Sequence, residues 1–422
     1  MKILEKGLFI GLLLFLIACN KNDTVLDNHL SKLSSGKDYF KLKTELGFAK
    51  KSLSEAKYLF YKAICDDVFN DIPSSQRCIE VLFDKYDNQL IDSTKKDLLA
   101  IKIRNHIRQS EYTNVVNTCQ LLLNEYGSML DSLERVKYKD TQSMFEKLVN
   151  VNPLFVHKNG KIEIQSRRNP YLNLITVPIN KGSKTAEFLF DTGADMSVIT
   201  NSCAKEMNLT IYETNTEVET SVGIIKANIA VADSLYFGDI LFENVILLVM
   251  PLFSIPELDF KISGIIGVNE MRKLDEIHVR QDGSIFLPEM PSNKELSNIY
   301  LDNLEGLSLT VQIQSDNDTL FMEFDTGATI SNLNKKFYDK YQDKIKGKLN
   351  SKSVAGAGGE TVQIESYTLD SFSYTIGTKN NVLPQIDIEL SDNKYDGLIG
   401  QEMIVPFDKM IINFKNMYID FE

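Results

Sequence analysis

The triplet Asp-Thr-Gly occurs twice, at Asp191-Thr192-Gly193 and at Asp325-Thr326-Gly327. Each copy closes an apolar run and is followed by alanine. Asp and Gly together at a strand end are, on their own, an ordinary turn. A pair in matching contexts raises a chemical question, because two carboxylates about 3 Å apart cannot both ionise easily and come to share one proton. The ionised member then takes a proton from water and the protonated member gives one to a carbonyl oxygen, which is what amide hydrolysis needs. The pair titrates as a unit, so the sequence assigns neither role to either residue.

The flanks decide whether the copies are related. Gly264-Ile265-Ile266-Gly267 begins 73 residues after Asp191, and Gly397-Leu398-Ile399-Gly400 begins 72 after Asp325. Val177 and Ile179 precede a polar turn and the first triplet strand; Val311 and Ile313, each 134 residues later, precede the second. Behind each glycine segment lies an Asp (Asp275, Asp408) and a strand–turn–strand pattern, with Gln281-Asp282-Gly283-Ser284 as the turn of the first. One β-rich unit is therefore duplicated, and self-similarity of this kind sets the architecture before local detail does.

These features resemble the pepsin-like and retropepsin-like aspartic peptidases over residues 166–422. The resemblance implies two all-β lobes in one chain, with Asp191 and Asp325 as the catalytic pair at the lobe interface and a peptide or protein as substrate. It also implies that the Thr192 and Thr326 hydroxyls bond across that interface, and that Gly193 and Gly327 leave room for the turns. Ile265-Ile266-Gly267 and Leu398-Ile399-Gly400 would pass close behind the turns, where a side chain on the glycine would obstruct them. Flap hairpins are expected between each triplet and its glycine segment, with Gly223 as candidate in the first lobe and Gly356, Gly358 and Gly359 in the second; the second cluster reads equally well as a flexible loop. Ala194 and Ala328 stand where pepsin-like enzymes of acidic compartments carry Ser or Thr. A dyad without that hydroxyl donor should titrate higher and work nearer neutral pH, as in retropepsins. The chain has no Trp, so the flap-supporting Trp of many pepsin-like enzymes is missing.

The elements that must carry this pair divide the chain. Lys2 and Lys6, an apolar run from Gly7 to Ala18, and Leu16-Ile17-Ala18-Cys19 resemble a bacterial lipoprotein leader. That resemblance implies a signal peptide over 1–18, an acylated Cys19 as membrane anchor, and a place in the cell envelope outside the cytoplasm. Residues 19–37, rich in Asn, Asp and Ser, read as a tether. Residues 38–150 carry apolar residues at helical spacing with little Gly. A repeat at an offset of 40 weakly resembles tetratricopeptide helical hairpins, against an unspecific helical bundle; such a segment could dock a protein partner, present substrate or space the lobes from the membrane. Lys158-Asn159-Gly160-Lys161 reads as a hairpin opening the β-rich part. The expectation is an α+β multidomain chain: helical hairpins over 38–150, one acid-protease-like lobe over 151–297 and a second over 298–422.

Composition narrows the function. Net charge is −12, from 46 basic and 58 acidic residues, with no basic cluster, so nucleic acid is not an expected partner. Four scattered His and five Cys form no metal-ligand spacing, and no Ser or Cys nucleophile has a His beside it, so neither metal nor other cofactor is expected. Cys65, Cys78, Cys119 and Cys203 read as small buried apolar residues, with a Cys65–Cys78 bridge as the alternative. Against the endopeptidase reading stand a fold that grips peptides without cleaving them and an envelope scaffold in which the helices are the working part.

Overall fold

The computed structural model describes residues 23–422 except 221, 222, 256, 257, 259, 304, 305, 317, 346, 347, 357–360 and 392. The proposed leader and Cys19 lie outside the described residues, as do Gly358 and Gly359.

Helices come first. They are α1 (residues 23–35), α2 (Tyr39–Ala49), α3 (Glu55–Val68), α4 (Ile72–Lys85), α5 (Asp92–Gln109), α6 (Tyr112–Tyr126) and α7 (Ser132–Glu146). Their starts follow from capping chemistry. Asp71 accepts from the Ser74 amide ahead of α4, with Pro73 in its first turn, and Asp131 and Glu134 form a reciprocal capping box on α7. α3 with α4 and α5 with α6 form the two hairpins expected from the repeat.

The expected tether is corrected, because residues 23–35 are helix α1. Leu26, Leu30 and Leu33 recur at helical spacing, and Leu30 and Leu33 are buried in the core. Of the polar residues that suggested a tether, Asp23 and Asp27 face α3: Lys57 pairs with both at 3.1 Å, and Tyr61 Oη donates to Asp27 Oδ1 at 2.7 Å.

Each lobe is built on one long sheet. In the first, Lys184–Phe190 pairs antiparallel with Ile175–Lys181 and parallel with Gly264–Ile266, setting Gly264 opposite Phe188 and Ile266 opposite Phe190. In the second, Asp318–Phe324 pairs antiparallel with Ser308–Ser315 and parallel with Gly397–Ile399, setting Gly397 opposite Met322 and Ile399 opposite Phe324. A two-residue strand, Val198–Ile199 or Asn332–Leu333, then pairs antiparallel with the glycine strand. The two copies thus share one local topology around the triplet.

A separate five-stranded sheet belongs to both lobes. Ile162–Ile164, Ile285–Leu287 and Glu276–Arg280 come from the first; Lys409–Asn413 and Tyr418–Phe421 come from the second. The lobes join edge to edge in it, with Ile277 opposite Ile412 and His278 opposite Ile411. This arrangement corrects the expected hairpin at Lys158–Lys161. Phe155–His157 pairs with Ile240–Val249 in the lobe sheet, whereas Ile162–Ile164 pairs with Ile285–Leu287 in the shared one. Gly160 does make a turn at φ +67°, but the strands on either side go to different sheets because Ile162 and Ile164 are buried there.

The helices are not a separate spacer. Leu42, Leu46, Tyr61, Val68 and Phe69 share one core with Tyr300, Leu301 and Phe324 of the second lobe. Tyr39 meets Tyr300 edge-on at 5.0 Å between centroids, and Phe40 stacks on Phe321 at 6.3 Å. On the other side Tyr112, Val115, Cys119, Leu122 and Phe145 share a core with Leu189, Leu248 and Ile265 of the first lobe. Cys65, Cys78, Cys119 and Cys203 are all buried and free, so the alternative bridge is not formed. No described helix is long and apolar enough to cross a membrane.

Candidate active site

The two triplets meet where the lobes face each other, and four hydrogen bonds join their threonines across the junction. Thr192 Oγ1 donates to the Phe324 carbonyl at 2.7 Å and accepts from the Thr326 amide at 3.0 Å. Thr326 Oγ1 donates to the Phe190 carbonyl at 2.8 Å and accepts from the Thr192 amide at 3.0 Å. Both threonines are buried. Each hydroxyl therefore has both its donor and an acceptor lone pair in use, inside a region where an unpaired group would be costly.

The Asp191 and Asp325 carboxyls adjoin on top of this bracket, each set against the turn glycine of the other copy. Each is cradled by its own turn. The Gly193 amide donates to Asp191 Oδ1 at 2.8 Å; the Gly327 and Ala328 amides donate to Asp325 Oδ1 at 2.7 and 3.1 Å. Each strand end is also pinned from behind, by the Asp191 amide on the Ile266 carbonyl (3.1 Å) and the Asp325 amide on that of Ile399 (2.9 Å). Loss of surrounding water is the largest cause pushing both carboxyls above the ordinary range. The Asp325 charge and its hydrogen bond push Asp191 further in that direction, while the turn amides pull both back. Glu323, two residues before Asp325, is pushed up to about 7 by burial and by the Asp325 charge. Its counterpart in the first copy is Leu189.

The glycines are where the packing demands them. A Cβ on Gly193 would strike the Asp325 carboxyl, and one on Gly327 would strike that of Asp191. A Cβ on Gly267 would fall 2.6 Å from the Ala194 carbonyl oxygen, and one on Gly400 would run into that of Ile330. Ile265, Ile266 and Ile399 are buried behind the turns and Leu398 is partly buried. Of the flap candidates, Gly223 sits opposite Thr220 where Thr210–Thr220 and Gly223–Phe237 join, and is exposed; Gly356 follows Asn350–Ala355, which pairs with Thr361–Ile376, and is buried. Gly223 and Gly356 thus both lie at the ends of paired strands.

Sequence reasoning missed the serine six residues after each Asp. Ser197 Oγ accepts from the Gly267 amide at 3.0 Å and Ser331 Oγ accepts from the Gly400 amide at 2.9 Å. Glu270 Oε2 accepts from Ser197 Oγ, and Glu402 Oε2 accepts from the Ser331 amide at 3.0 Å. The signal was available, since both serines hold the same offset in the repeat.

These features define a two-lobed carboxylate-dyad fold behind an all-α region over residues 23–146. Residues 175–269, holding the first triplet and its glycine segment, match the model of the aspartyl protease family. Among solved structures the chain is similar to basic 7S globulin from soybean, with 9% identity, a TM-score of 0.38, and coverage of 63% of this chain and 95% of that one. That likeness is too slight to carry an argument. No curated protein matches the chain.

Proposed function

We propose that this protein is an aspartic endopeptidase in which water is activated between Asp191 and Asp325. The observation that carries the reading is the adjoining pair of carboxyls, raised by burial and held by turn amides above the symmetric Thr192–Thr326 bracket. With one proton between them, the ionised oxygen draws a proton from water as it attacks the peptide carbonyl. The protonated partner hands its proton to the developing oxyanion, and the proton taken from water then passes to the departing amine. A peptide lying along the hairpins at 210–237 and 350–376 would add as an extra strand, its side chains sorted by pockets.

The leader-like start supports a place for this chemistry in the cell envelope, on an acylated Cys19. Labelling with a fatty-acid analogue, lost on Cys19→Ser, tests that part separately. Cleavage of a peptide library by the purified chain, with loss of about 10³-fold or more in Asp191→Asn and Asp325→Asn, tests the chemistry. Equal cleavage by the variants would remove the assignment.

A further inference from the structure

The catalytic turn of the first lobe is gripped from outside the lobe. Asp195, four residues after Asp191, accepts at its carboxylate from Asn303 Nδ2 and at its carbonyl from the Asn269 amide at 3.0 Å. Asn303 follows the second-lobe strand Ile299–Asp302 and takes φ +86°. Its Oδ1 accepts from the Gly306 amide at 2.8 Å and the Leu307 amide at 3.3 Å, so this side chain is held at both ends. The Gly306 carbonyl in turn accepts from Arg108 Nη1 at 3.4 Å.

Arg108 belongs to α5 and is fully buried. Asp67 of α3 accepts from it through both its backbone carbonyl, at 2.9 Å, and its carboxylate, and Asn105 Oδ1 accepts from it at 3.1 Å. A second path leaves the same residue. Arg272 Nη2 donates to the Arg108 carbonyl and to Asn269 Oδ1 at 3.2 Å, and Asn269 is the residue whose amide holds Asp195. Arg108 thus stands where two routes to Asp195 converge, one ending on its carboxylate and one on its carbonyl.

The second turn is braced differently. Thr329 replaces Asp195 in the repeat. Gln401 holds the Ala328 carbonyl through its amide at 2.9 Å and the Thr326 carbonyl through Nε2 at 2.6 Å, and Arg168 of the first lobe donates to Gln401 Oε1 at 2.6 Å.

Resting on the peptidase reading above, we infer that Asn303 is a positioning residue for the dyad, set in place by the buried Asp67–Arg108 pair of the helical region. The helices then complete the first catalytic turn, and fixing that turn fixes where Asp191 lies against Asp325.

The test is made on the full chain. Asn303→Asp sets two carboxylates face to face and removes the amide donor. Amide hydrogen exchange across 191–197 should then accelerate about tenfold or more, while exchange across 325–331 stays within about twofold. Adding Asp195→Asn reverses the pair, because the new amide donates to one carboxylate oxygen at 303 while the other still accepts from Gly306; protection should return. On a peptide the parent cleaves, kcat should fall about 10- to 100-fold in Asn303→Asp with KM within about twofold, and recover in the reversed pair. Equal acceleration of both turns, no acceleration, or no recovery would overturn the inference. Exchange does not depend on cleavage: the expected exchange pattern in a parent chain that cuts nothing would sink the peptidase reading alone, and unchanged protection in a chain that cuts would sink this inference alone.

Discussion

Thr192 and Thr326 exchange identical bonds: each hydroxyl donates to the carbonyl of the residue preceding the other's aspartate and accepts the other's amide. Removing one hydroxyl leaves a buried carbonyl and a buried amide without partners. Thr326→Val should destabilise the protein by about 1–3 kcal/mol and lower kcat, whereas Thr326→Ser, which keeps the oxygen, should retain most of both. Thermal unfolding alongside kinetics of the two variants checks this, and equal behaviour of the two would refute it.

The raised dyad has a thermodynamic signature. In the folded chain the carboxyls hold a proton that the unfolded chain releases near the ordinary carboxylate pKa. Their contribution to stability is therefore present at low pH and is lost as pH rises through the folded pKa. Asp191→Asn removes this loss. Its unfolding midpoint should exceed the parent's by roughly 2 °C or more at pH 8, and the gap should close below about pH 4. A gap that is constant with pH would count against shared-proton burial.

Activity requires one proton on the pair, so the profile is a bell bounded by the two ionisations. With both carboxyls raised, the optimum should lie nearer neutral than that of a dyad with ordinary carboxylates, and a peak below about pH 4 would refute it. Ala328→Ser adds a hydroxyl donor beside Asp325, stabilises the charged form, and should move the bell toward acid by about half to one pH unit. A pH–rate profile of both proteins decides.

Gly193→Ala and Gly327→Ala should each cost about 100-fold or more in kcat, because the added methyl occupies the place of the opposite carboxyl. Gly223→Ala, where nothing stands within 4 Å of the added carbon, should alter kcat far less, although its φ of +157° adds some strain. A similar loss in all three would mean that crowding at the dyad is not the cause.

The aromatic contacts of α2 argue against lobes that work alone. Deleting residues 38–150 would strip Tyr39 and Phe40 from Tyr300 and Phe321, and the α6–α7 core from Leu189 and Ile265. The truncated chain should be insoluble or bind apolar dyes strongly, rather than cut peptides. Soluble, active lobes would refute this.

What the sequence made legible follows from repetition. The dyad, its turn glycines and the strands behind them are written twice at matched offsets, so each copy corroborates the other. Elements without a second copy were harder to read. Helix α1 hides three leucines among Asn, Asp and Ser residues that suit a tether equally well. Asp67, Arg104 and Arg108 carry no signal in the sequence, yet they meet in the interior, because tertiary pairing between distant segments leaves no local pattern. The strands on either side of Gly160 suggest a hairpin locally, and only the competition between two sheets for them decides otherwise.

The five-stranded sheet has a consequence for how a peptide could enter. Its middle rungs run from Glu276–Arg280 directly to Lys409–Asn413, so the two halves are stitched by main-chain bonds. A hinge there would have to tear a ladder of five paired positions. Parting the lobes there would cost that whole ladder, so an incoming peptide is admitted more cheaply by movement outside this sheet.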